Sequence, residues 1–266
     1  MLYFVATPIG NLKDVSFRAI EVLKSVDEIA CEDTRHSLGL LNHYDIKKPL
    51  FAYHKFNEVK TAEKIIEKLK DGKNIAVISD AGSPCISDPG NVLADLLNKE
   101  GLEYTVVPGA CALINALILS GFDSSKFTFL GFLPEKNSER QELLERYKNL
   151  DSTLIFYSAP HDVKKDVESL FKGLGNRKAC AVKEITKLHE RVEHFNLEDG
   201  LTSEPKGEYV ILVEKGSMEN PLLALSEEEH IKHYIIKGMD KKEALKTVAK
   251  ERGVSKSSLY KYTIEN

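Results

Sequence analysis

The fold of this chain is decided by residues 74–84, which read NIAVISDAGSP. Four apolar residues in succession, Ile75 to Ile78, are typical of a strand that is covered on both faces in a parallel sheet. The strand runs into a loop that contains glycine, proline and the carboxylate of Asp80. Loops at the carboxyl ends of parallel strands line the ligand crevice of an open α/β sheet. The stretch therefore predicts a buried parallel strand and one wall of a binding site.

Further apolar runs lie on either side of this strand, and helical patterns separate them. The predicted strands are residues 2–6, 28–31, 50–53, 74–79, 104–107 and 127–132. The predicted helices are residues 16–24, 38–43, 60–70, 90–99 and 111–119. Strand, helix and strand at this spacing require crossover connections, so we expect an α/β fold with a mostly parallel sheet.

A charged helical pattern over residues 136–148 leads to a second set of predicted strands, at residues 153–157, 179–182, 190–195 and 208–213. The extended piece 191–195 is typical of an antiparallel pair, so we expect the second sheet to be mixed. The predicted organisation is an N-terminal α/β domain (1–134), a second α/β domain with a mixed sheet (135–225) and a basic helical segment (226–266).

Composition excludes several classes of protein. The chain has 266 residues, of which 42% are hydrophobic, so it can bury a core and is neither disordered nor collagen-like. The net charge of −4 provides no overall positive field, so a polyanion would have to bind a local patch. The four cysteines are far apart and form no CxxC pair, so we expect neither a disulfide scaffold nor a metal site, and a cytoplasmic setting. The uncharged stretch 104–122 is interrupted by Pro108 and Gly109, so we expect a buried strand, loop and helix rather than a membrane span.

The C-terminal segment is locally basic, with nine Lys or Arg and three Asp or Glu between His230 and Ile264. Helical patterns cover residues 229–236, 241–251 and 256–262, and Gly253 with Ser255 lies between the last two. This order is the outline of a helix-turn-helix. A helical cap with a solvated basic face explains the pattern as well, and is the better explanation of the segment taken by itself.

Three loops rich in glycine and proline each follow a predicted strand, at residues 7–11, 79–90 and 108–112. The phosphate-binding patterns GxGxxG after the first strand and GxxxxGK[ST] are missing, so dinucleotide and P-loop chemistry are disfavoured. A ligand with an adenosine end but no phosphates suits such loops better. Asp80 is expected to point into the crevice, although a loop aspartate often binds its own backbone. Ser87 or Asp88 is interpreted as the cap of the next helix.

A dense polar cluster, Glu32 to His36, follows the second predicted strand. One interpretation is that Asp33 or Thr34 caps the helix that begins near Ser37. The other is that the planar guanidinium of Arg35 binds a phosphate, and it is slightly favoured because capping explains neither Arg35 nor His36. Residues 54–57, which include Lys55, are expected at the same rim.

Several ordered motifs, taken together, resemble a known family. They lie at residues 5–12, 32–35, 79–84, 87–90, 108–109, 131–134, 183–190 and 207–213. Over essentially the whole chain the sequence is similar to the tetrapyrrole methylases, in the branch that methylates small-subunit ribosomal RNA. The resemblance implies two α/β domains with S-adenosylmethionine in the cleft between them. It also implies 2′-O-methylation of a cytidine ribose in the decoding centre of 16S rRNA, by a cytoplasmic homodimer.

Carried over by motif, the resemblance places the methyl donor against three loops of the first domain and three positions of the second. These residues are Pro8, Gly10, Asp80, Ala81, Gly82, Pro84, Pro108, Gly109, Ala110, Phe132, Ala159 and Gly207. The chain departs from the family pattern at four positions. Ser158 and Asp162 stand where Glu and Arg are expected, Glu135 stands for an Arg, and Cys111 stands for a Ser.

A ribose hydroxyl is a weak nucleophile, so a base or strong acceptor helps it to attack. The candidates are Asp33, Asp80 and Glu184, which the sequence does not rank. Arg35, His36 and Lys55 would hold flanking phosphates, and Lys256 and Lys261 of the basic segment would bind RNA as well. The alternatives are a methylase of a small corrin or tetrapyrrole precursor and a non-catalytic RNA-binding assembly module. The basic segment and residues 32–36 argue against the first, and the three stiff loops argue against the second.

Overall fold

A computed structural model describes residues 1–216 and 221–263 of the chain. The first sheet has five strands in the order β3-β2-β4-β1-β5, and all its neighbours are parallel. The strands are β1 (Leu2–Val5), β2 (Glu28–Cys31), β3 (Leu50–Ala52), β4 (Ile75–Ile78) and β5 (Tyr104–Val107). The predicted parallel sheet is confirmed, with strand ends that differ by one residue at most.

Helices cover both faces of this sheet, which is why β4 is apolar throughout. The helices of this part are α1 (Phe17–Ser25), α2 (Thr34–His43), α3 (Glu58–Lys70), α4 (Asn91–Glu100) and α5 (Ala112–Ser120). Ile75 and Val77 of β4 pack in one core with α3 and α4. Ala76 and Ile78 point to the other face and pack with α1 and α2. Side chains of a strand alternate between faces, so a strand between two helical layers needs apolar residues at every position.

The second sheet is mixed, as predicted, with the strand order β6-β7-β10-β8-β9. Its elements are β6 (Phe127–Phe132), α6 (Asn137–Tyr147), β7 (Thr153–Ser158), α7 (Val163–Leu174), β8 (Lys178–Lys183), β9 (Arg191–Asn196) and β10 (Tyr209–Val213). β6 and β7 are parallel, and the other pairs are antiparallel, including the β8–β9 pair expected from residues 191–195.

Strand β6 belongs to the second sheet, where Phe127 pairs with Thr153. The predicted boundary near residue 134 placed this strand with the first domain. The difference arises because the pattern of one strand gives its conformation and not its pairing partner.

Helix α5 also packs on the second sheet, although it follows β5 of the first. Leu113, Ala116 and Leu117 share a core with Ile155 of β7 and Val210 of β10. The opposite face of that sheet packs against α6 and α7. Both sheets are part of one compact unit, Met1–Lys148 with Ser152–Lys215.

A second compact unit comprises Asn149–Asp151 and Gly216–Asn266. It contains α8 (Glu227–Ile236), α9 (Lys241–Arg252) and a 3-10 helix, Lys256–Thr263. Ile231, Leu245, Val248 and Leu259 form its core. The predicted third helix is present, and its residues adopt the tighter 3-10 geometry. In the described parts of the chain, no helix combines the length and apolarity needed to cross a bilayer.

Candidate active site

The three glycine- and proline-rich loops lie side by side, because β4, β1 and β5 are neighbours in the first sheet. Two backbone hydrogen bonds join the first loop to the second: Thr7 N to Gly82 O (2.8 Å) and Gly82 N to Thr7 O (3.1 Å). The buried hydroxyl of Thr7 adds a bond to Ser79 O at 3.1 Å. These bonds hold the loop after β4 against the loop after β1, so their relative position is set before any ligand binds.

Gly82 occupies the point where all three loops meet. Its φ of +86° is in the region that favours glycine. A Cβ at this position would lie 3.3 Å from Ile9 Cγ2 and 3.7 Å from Ala110 O. Glycine is therefore favoured here by the backbone conformation and by the tight approach of Ile9 from the first loop.

A cavity of about 370 Å³ lies between these loops and the second sheet. Its volume is in the range of about 300–1,000 Å³ that is usual for small-molecule sites. The lining residues are Ile9, Asp80, Ala81, Gly82, Ser83, Ile86, Ser87, Asp88, Cys111, Ala112, Phe132, Tyr157, Ser158, Ala159, Pro160, Val182, Ile185, Glu208, Tyr209 and Val210. Most are apolar or small, and the carboxylates of Asp80 and Asp88 stand on one wall. The arrangement suits a ligand with an apolar body and a positive charge.

The cavity gathers five of the predicted donor-binding residues: Asp80, Ala81, Gly82, Phe132 and Ala159. The other predicted donor-binding residues are not among the described residues that line the cavity. Pro8 and Pro84 are buried in the loops, and Ala110 contributes the carbonyl that faces Gly82.

Three of the remaining glycines are sites of close approach. A Cβ on Gly109 would lie 3.0 Å from Ala6 Cβ, and one on Gly10 would lie 2.4 Å from Lys187 Cγ. One on Gly207 would lie 2.4 Å from Glu184 Cδ. Pro108 precedes Gly109 on the exposed side of the third loop. These positions shape the walls by letting neighbouring segments approach.

A smaller hollow of about 220 Å³ lies on the first sheet, between the ends of β1 and β4 and helix α2. Its lining includes Pro8, His36, Ser37 and Asp80. Asp80 therefore lines both the main cavity and this hollow. A carboxylate at that position can contact groups that enter from either side.

Asp33 has the capping role that the sequence left open. Its Oδ1 accepts a hydrogen bond from Arg35 N at 2.8 Å, and α2 starts at Thr34, not at residue 38 as predicted. Its carboxylate also pairs with the exposed guanidinium of Arg35 at 3.0 Å. The side chain and backbone N–H groups of Arg35 lower the pKa of Asp33 to about 2. A carboxylate held ionised in this way is a weak base, so its geometry favours a structural role.

Asp88, Glu32 and Asp80 form a cluster of carboxyl groups that was not predicted from the sequence. Burial, together with Glu32 and Asp80, raises the pKa of Asp88 to about 7. Burial and Asp80 also raise the pKa of Glu32. The interpretation of Ser87 or Asp88 as a helix cap is wrong, because Gly90 occupies the N-cap of α4 and Ser87 has a φ of +65°. Acidic residues follow both β2 and β4, which are neighbours in the sheet, and this pattern could have predicted that Glu32, Asp80 and Asp88 lie close together.

Glu184 is not among the described residues that line the cavity. Its Oε1 accepts hydrogen bonds from Lys187 Nζ and Glu208 N, both at 2.9 Å. Burial opposes ionisation, but these donors outweigh it and lower the pKa of Glu184. The residue connects the loop after β8 to the start of β10, and its neighbour Ile185 reaches the cavity.

Aromatic side chains form the second-sheet wall of the cavity. The rings of Phe132 and Tyr157 meet edge to face at 5.6 Å, and Phe132 is 57% exposed. Burial raises the pKa of Tyr157 to about 12, so its hydroxyl stays protonated. An exposed aromatic face beside a cavity is a surface on which a planar ring can stack.

The departures from the family pattern have different surroundings. Ser158 and Cys111 line the cavity, and the Ser158 hydroxyl donates to the buried Asp166 at 2.6 Å. Asp162 precedes α7 and lies 3.2 Å from His161. Glu135 is exposed.

The predicted RNA-binding residues lie in two regions. Arg35 and His36 are exposed in the first turn of α2, which follows β2, and Lys55 is exposed on the loop that follows β3, the neighbour of β2 in the sheet. Phe56, beside Lys55, is 96% exposed. In the second unit Lys256 Nζ lies 5.9 Å from the centre of the Tyr260 ring. The side chain of Lys261 lies outside what the structure describes.

Comparison with known proteins identifies the class. The family model for Tetrapyrrole (Corrin/Porphyrin) Methylases matches residues 1–200. A crystal structure of diphthine synthase superposes with a TM-score of 0.66 at 16% identity, over 80% of this chain and 89% of that one. A crystal structure of the methyltransferase CobJ superposes with a TM-score of 0.63 at 17% sequence identity, over 80% of this chain and 93% of that one. Both structures are similar in fold.

Two curated relatives match along almost their whole length. A protein of Halalkalibacterium halodurans named ribosomal RNA small subunit methyltransferase I is 43% identical, over 97% of this chain and 93% of its own. A protein of the same name from Bacillus subtilis is 42% identical, over 98% of this chain and 92% of its own. The chain belongs to the tetrapyrrole methylase family, and within it to the group of these small subunit methyltransferases. It is therefore a methyltransferase.

Proposed function

We propose that this enzyme transfers the methyl group of S-adenosylmethionine to the 2′-hydroxyl of a cytidine ribose in the decoding centre of 16S rRNA. The observation that carries the proposal is the cavity walled by Asp80–Gly82 on one side and by Phe132 and Ala159 on the other, in a chain whose relatives are named for ribosomal RNA. The corrin and tetrapyrrole alternative rests on likeness of fold at 16–17% identity, which says nothing of the substrate.

The residues of the cavity fit the methyl donor. The donor combines a planar adenine, a ribose without phosphates and a sulfonium cation. Phe132 and Tyr157 offer ring faces, and the small residues Ala81, Gly82 and Ala159 let a ligand approach the backbone. The carboxylate of Asp80 supplies the negative charge that a cation requires.

When bound, the donor supplies an electrophilic methyl group, and the protein has to orient the attacking hydroxyl in line with it. Asp80 is the best placed of the three candidate bases, because it lines both the cavity and the adjoining hollow. A carboxylate there accepts a hydrogen bond from the ribose hydroxyl and takes its proton. Asp33 and Glu184 are engaged in hydrogen bonds that hold loops together.

The rim around the smaller hollow is suited to RNA. Arg35 and Lys55 offer exposed positive charges, and His36 lines the hollow itself. Phe56 adds an exposed ring on which an unpaired base can stack. Lys256 and Lys261, in the locally basic stretch between His230 and Ile264, add positive charges, and sequence-independent attraction of this kind strengthens binding to phosphate backbones.

The functional form is proposed to be a cytoplasmic homodimer. A cytoplasmic location follows from the ribosomal substrate. Dimerisation is supported by the outer face of α5, where Ile114 and Ile118 are 38% and 70% exposed, and by Val106 of the edge strand β5, which is 53% exposed. Exposed apolar residues at this spacing on one face of a helix suit burial against a second copy. Sedimentation equilibrium would test it.

Two measurements test the function. Calorimetry of the purified protein with S-adenosylmethionine separates an enzyme from an RNA-binding module, which would give no binding heat. Primer extension or mass spectrometry on rRNA from a deletion strain reads the 2′-O-methyl mark. We expect one cytidine of 16S rRNA to lose the mark and to regain it when the gene is restored. An intact mark in the deletion strain would refute the proposed substrate.

A further inference from the structure

The second-sheet wall of the cavity is built from two adjacent strand ends. Strands β6 and β7 are parallel neighbours, with Phe132 opposite Tyr157. Phe132, the last residue of β6, lines the cavity, as do Ser158 at the end of β7 and Ala159 and Pro160 in the loop that follows it. The distance between the loop after β6 and the loop after β7 therefore sets the width of the wall.

A buried ion pair connects the two loops. Arg140 of α6 and Asp166 of α7 each have side chains that are 5% exposed, and Arg140 Nη1 lies 2.7 Å from Asp166 Oδ1. Arg140 Nε donates to Pro134 O in the loop after β6. Asp166 Oδ2 accepts from the Ser158 hydroxyl at 2.6 Å, at the end of β7. The hydrogen bonds therefore run without a break from one loop to the other.

Stability alone does not account for this arrangement. Removing two charges from water is costly, and well-packed apolar residues of similar volume are often as stable as a buried ion pair. Directional bonds do, however, hold their partners in one geometry, which apolar contacts do not. Neither Arg140 nor Asp166 is among the described residues that line the cavity, so they act on it through the loops that they bind.

We propose that Arg140, Asp166 and Ser158 are positioning residues for the methyl donor, which fix the loop after β6 and the loop after β7 relative to each other. The inference rests on the proposed function, because it assumes that the donor occupies this cavity. The ligand it concerns is a nucleoside that carries a sulfonium group. The Ser158 hydroxyl is thus held by the buried carboxylate of Asp166, which α7 supplies.

The test is the affinity for S-adenosylmethionine of Ser158→Ala, measured by calorimetry on the full chain. The matched control is Ser152→Ala, since Ser152 is also buried and its hydroxyl also bonds another side chain, Thr128 Oγ1 at 2.8 Å, at the opposite end of β7. We expect Ser158→Ala to weaken donor binding about three- to tenfold, the usual effect of one hydrogen bond, and Ser152→Ala to leave it within twofold. The KM for the donor should rise while the KM for RNA stays constant.

A second comparison separates positioning from direct contact with the donor. If the hydroxyl acts through Asp166, the double variant Ser158→Ala/Asp166→Asn should bind the donor as Asp166→Asn alone does. Additive losses, or equal affinity of Ser158→Ala and Ser152→Ala, would overturn the inference. If Asp166→Asn does not fold, the two serine variants still decide. Absence of donor binding by the unmodified protein would instead refute the proposed function.

Discussion

The backbone amide of Asp33 donates a hydrogen bond of 3.2 Å to Asp80 Oδ1. Asp33 caps the helix that presents Arg35 and His36, and Asp80 lines the cavity proposed for the methyl donor. One carboxylate thus connects the rim proposed for RNA with the donor site. Since a second oxygen of Asp80 remains for another partner, the same side chain can bind both the protein and a ribose hydroxyl.

Replacing Asp80 by Asn keeps an oxygen for Asp33 N but removes the charge. We expect kcat to fall about 100-fold or more, in the range that loss of a general base causes. The melting temperature should stay close to that of the unmodified protein, because the hydrogen bond is retained. Steady-state kinetics with a 16S rRNA substrate measure the effect. Normal turnover by Asp80→Asn would exclude Asp80 as the base and return attention to Glu184.

Gly82→Ala should weaken donor binding. The new Cβ would press on Ile9 at 3.3 Å, and the φ of +86° adds backbone strain. We expect a cost in unfolding free energy of about 1–2 kcal/mol and a loss of donor affinity of about tenfold. Gly101→Ala is the control, because Gly101 has a φ of +64° with nothing within 4 Å of a Cβ. Both variants should lose stability in thermal unfolding, and a matching loss of donor affinity in Gly101→Ala would contradict the assignment.

Asp88 should make the stability depend on pH. Its pKa rises from about 3.9 in the unfolded chain to about 7 in the folded protein, because of burial and the carboxylates of Glu32 and Asp80. The folded state therefore holds the proton more tightly. The stabilisation is complete below about pH 4 and is lost as the pH rises through about 7.

The Asp88→Asn variant should remove that dependence. At pH 8 we expect it to be more stable than the unmodified protein by about 1–2 kcal/mol, discounted because part of the carboxyl reaches solvent. Thermal unfolding between pH 5 and 8 measures the slope. Asp95→Asn, at an exposed carboxylate of α4 that pairs with Lys99, should keep the original slope. An unchanged slope in Asp88→Asn would show that other groups carry the pH dependence.

Arg35→Ala should weaken RNA binding and spare the donor. The guanidinium is 88% exposed and stands on the rim of the sheet. Loss of one phosphate contact should reduce the slope of log K against log salt by about 1. Arg146→Ala is the control, since Arg146 is also exposed and also pairs with a carboxylate, Glu142 on α6. Equal losses of RNA and donor affinity in Arg35→Ala would show a structural rather than a binding role.

The locally basic stretch from His230 to Ile264 should add a further RNA contact. Replacing Lys256 and Lys261 by Gln should reduce the salt slope of RNA binding by about 2. The control replaces two exposed lysines, Lys47 and Lys73, which precede β3 and β4 at the amino-terminal ends of these strands. Filter binding over a salt series measures the slopes. If the two double variants behave alike, the second unit has no special part in binding RNA, and removal of residues 226–266 should then also leave the affinity unchanged.

The parallel sheet could be predicted because each of its strands carries its own signal. An apolar run such as Ile75–Ile78 predicts a strand between two helical layers wherever it lies, and the helical patterns between such runs require crossovers. The loops of the donor site were also predictable, since glycine and proline follow strand ends at 7–11, 79–90 and 108–112.

Contacts between distant residues could not be predicted. Phe127–Phe132 reads as a strand, yet its partner β7 and hence its sheet depend on pairing along the whole chain. Helix α5 is apolar, yet its sequence does not say that Leu113 and Leu117 pack on the second sheet. Ser158, Asp166 and Arg140 meet only because three separate elements converge.

The fold class, the family and the loops that form the site follow from the sequence alone, because strand periodicity, turn residues and ordered motifs are local properties. The roles of the carboxylates emerge only in the folded chain. Asp33 caps a helix, and Glu184 accepts hydrogen bonds that connect two loops. Asp88 holds its proton near neutral pH. Those roles depend on burial and on neighbouring charges, which are fixed by residues far away in the chain.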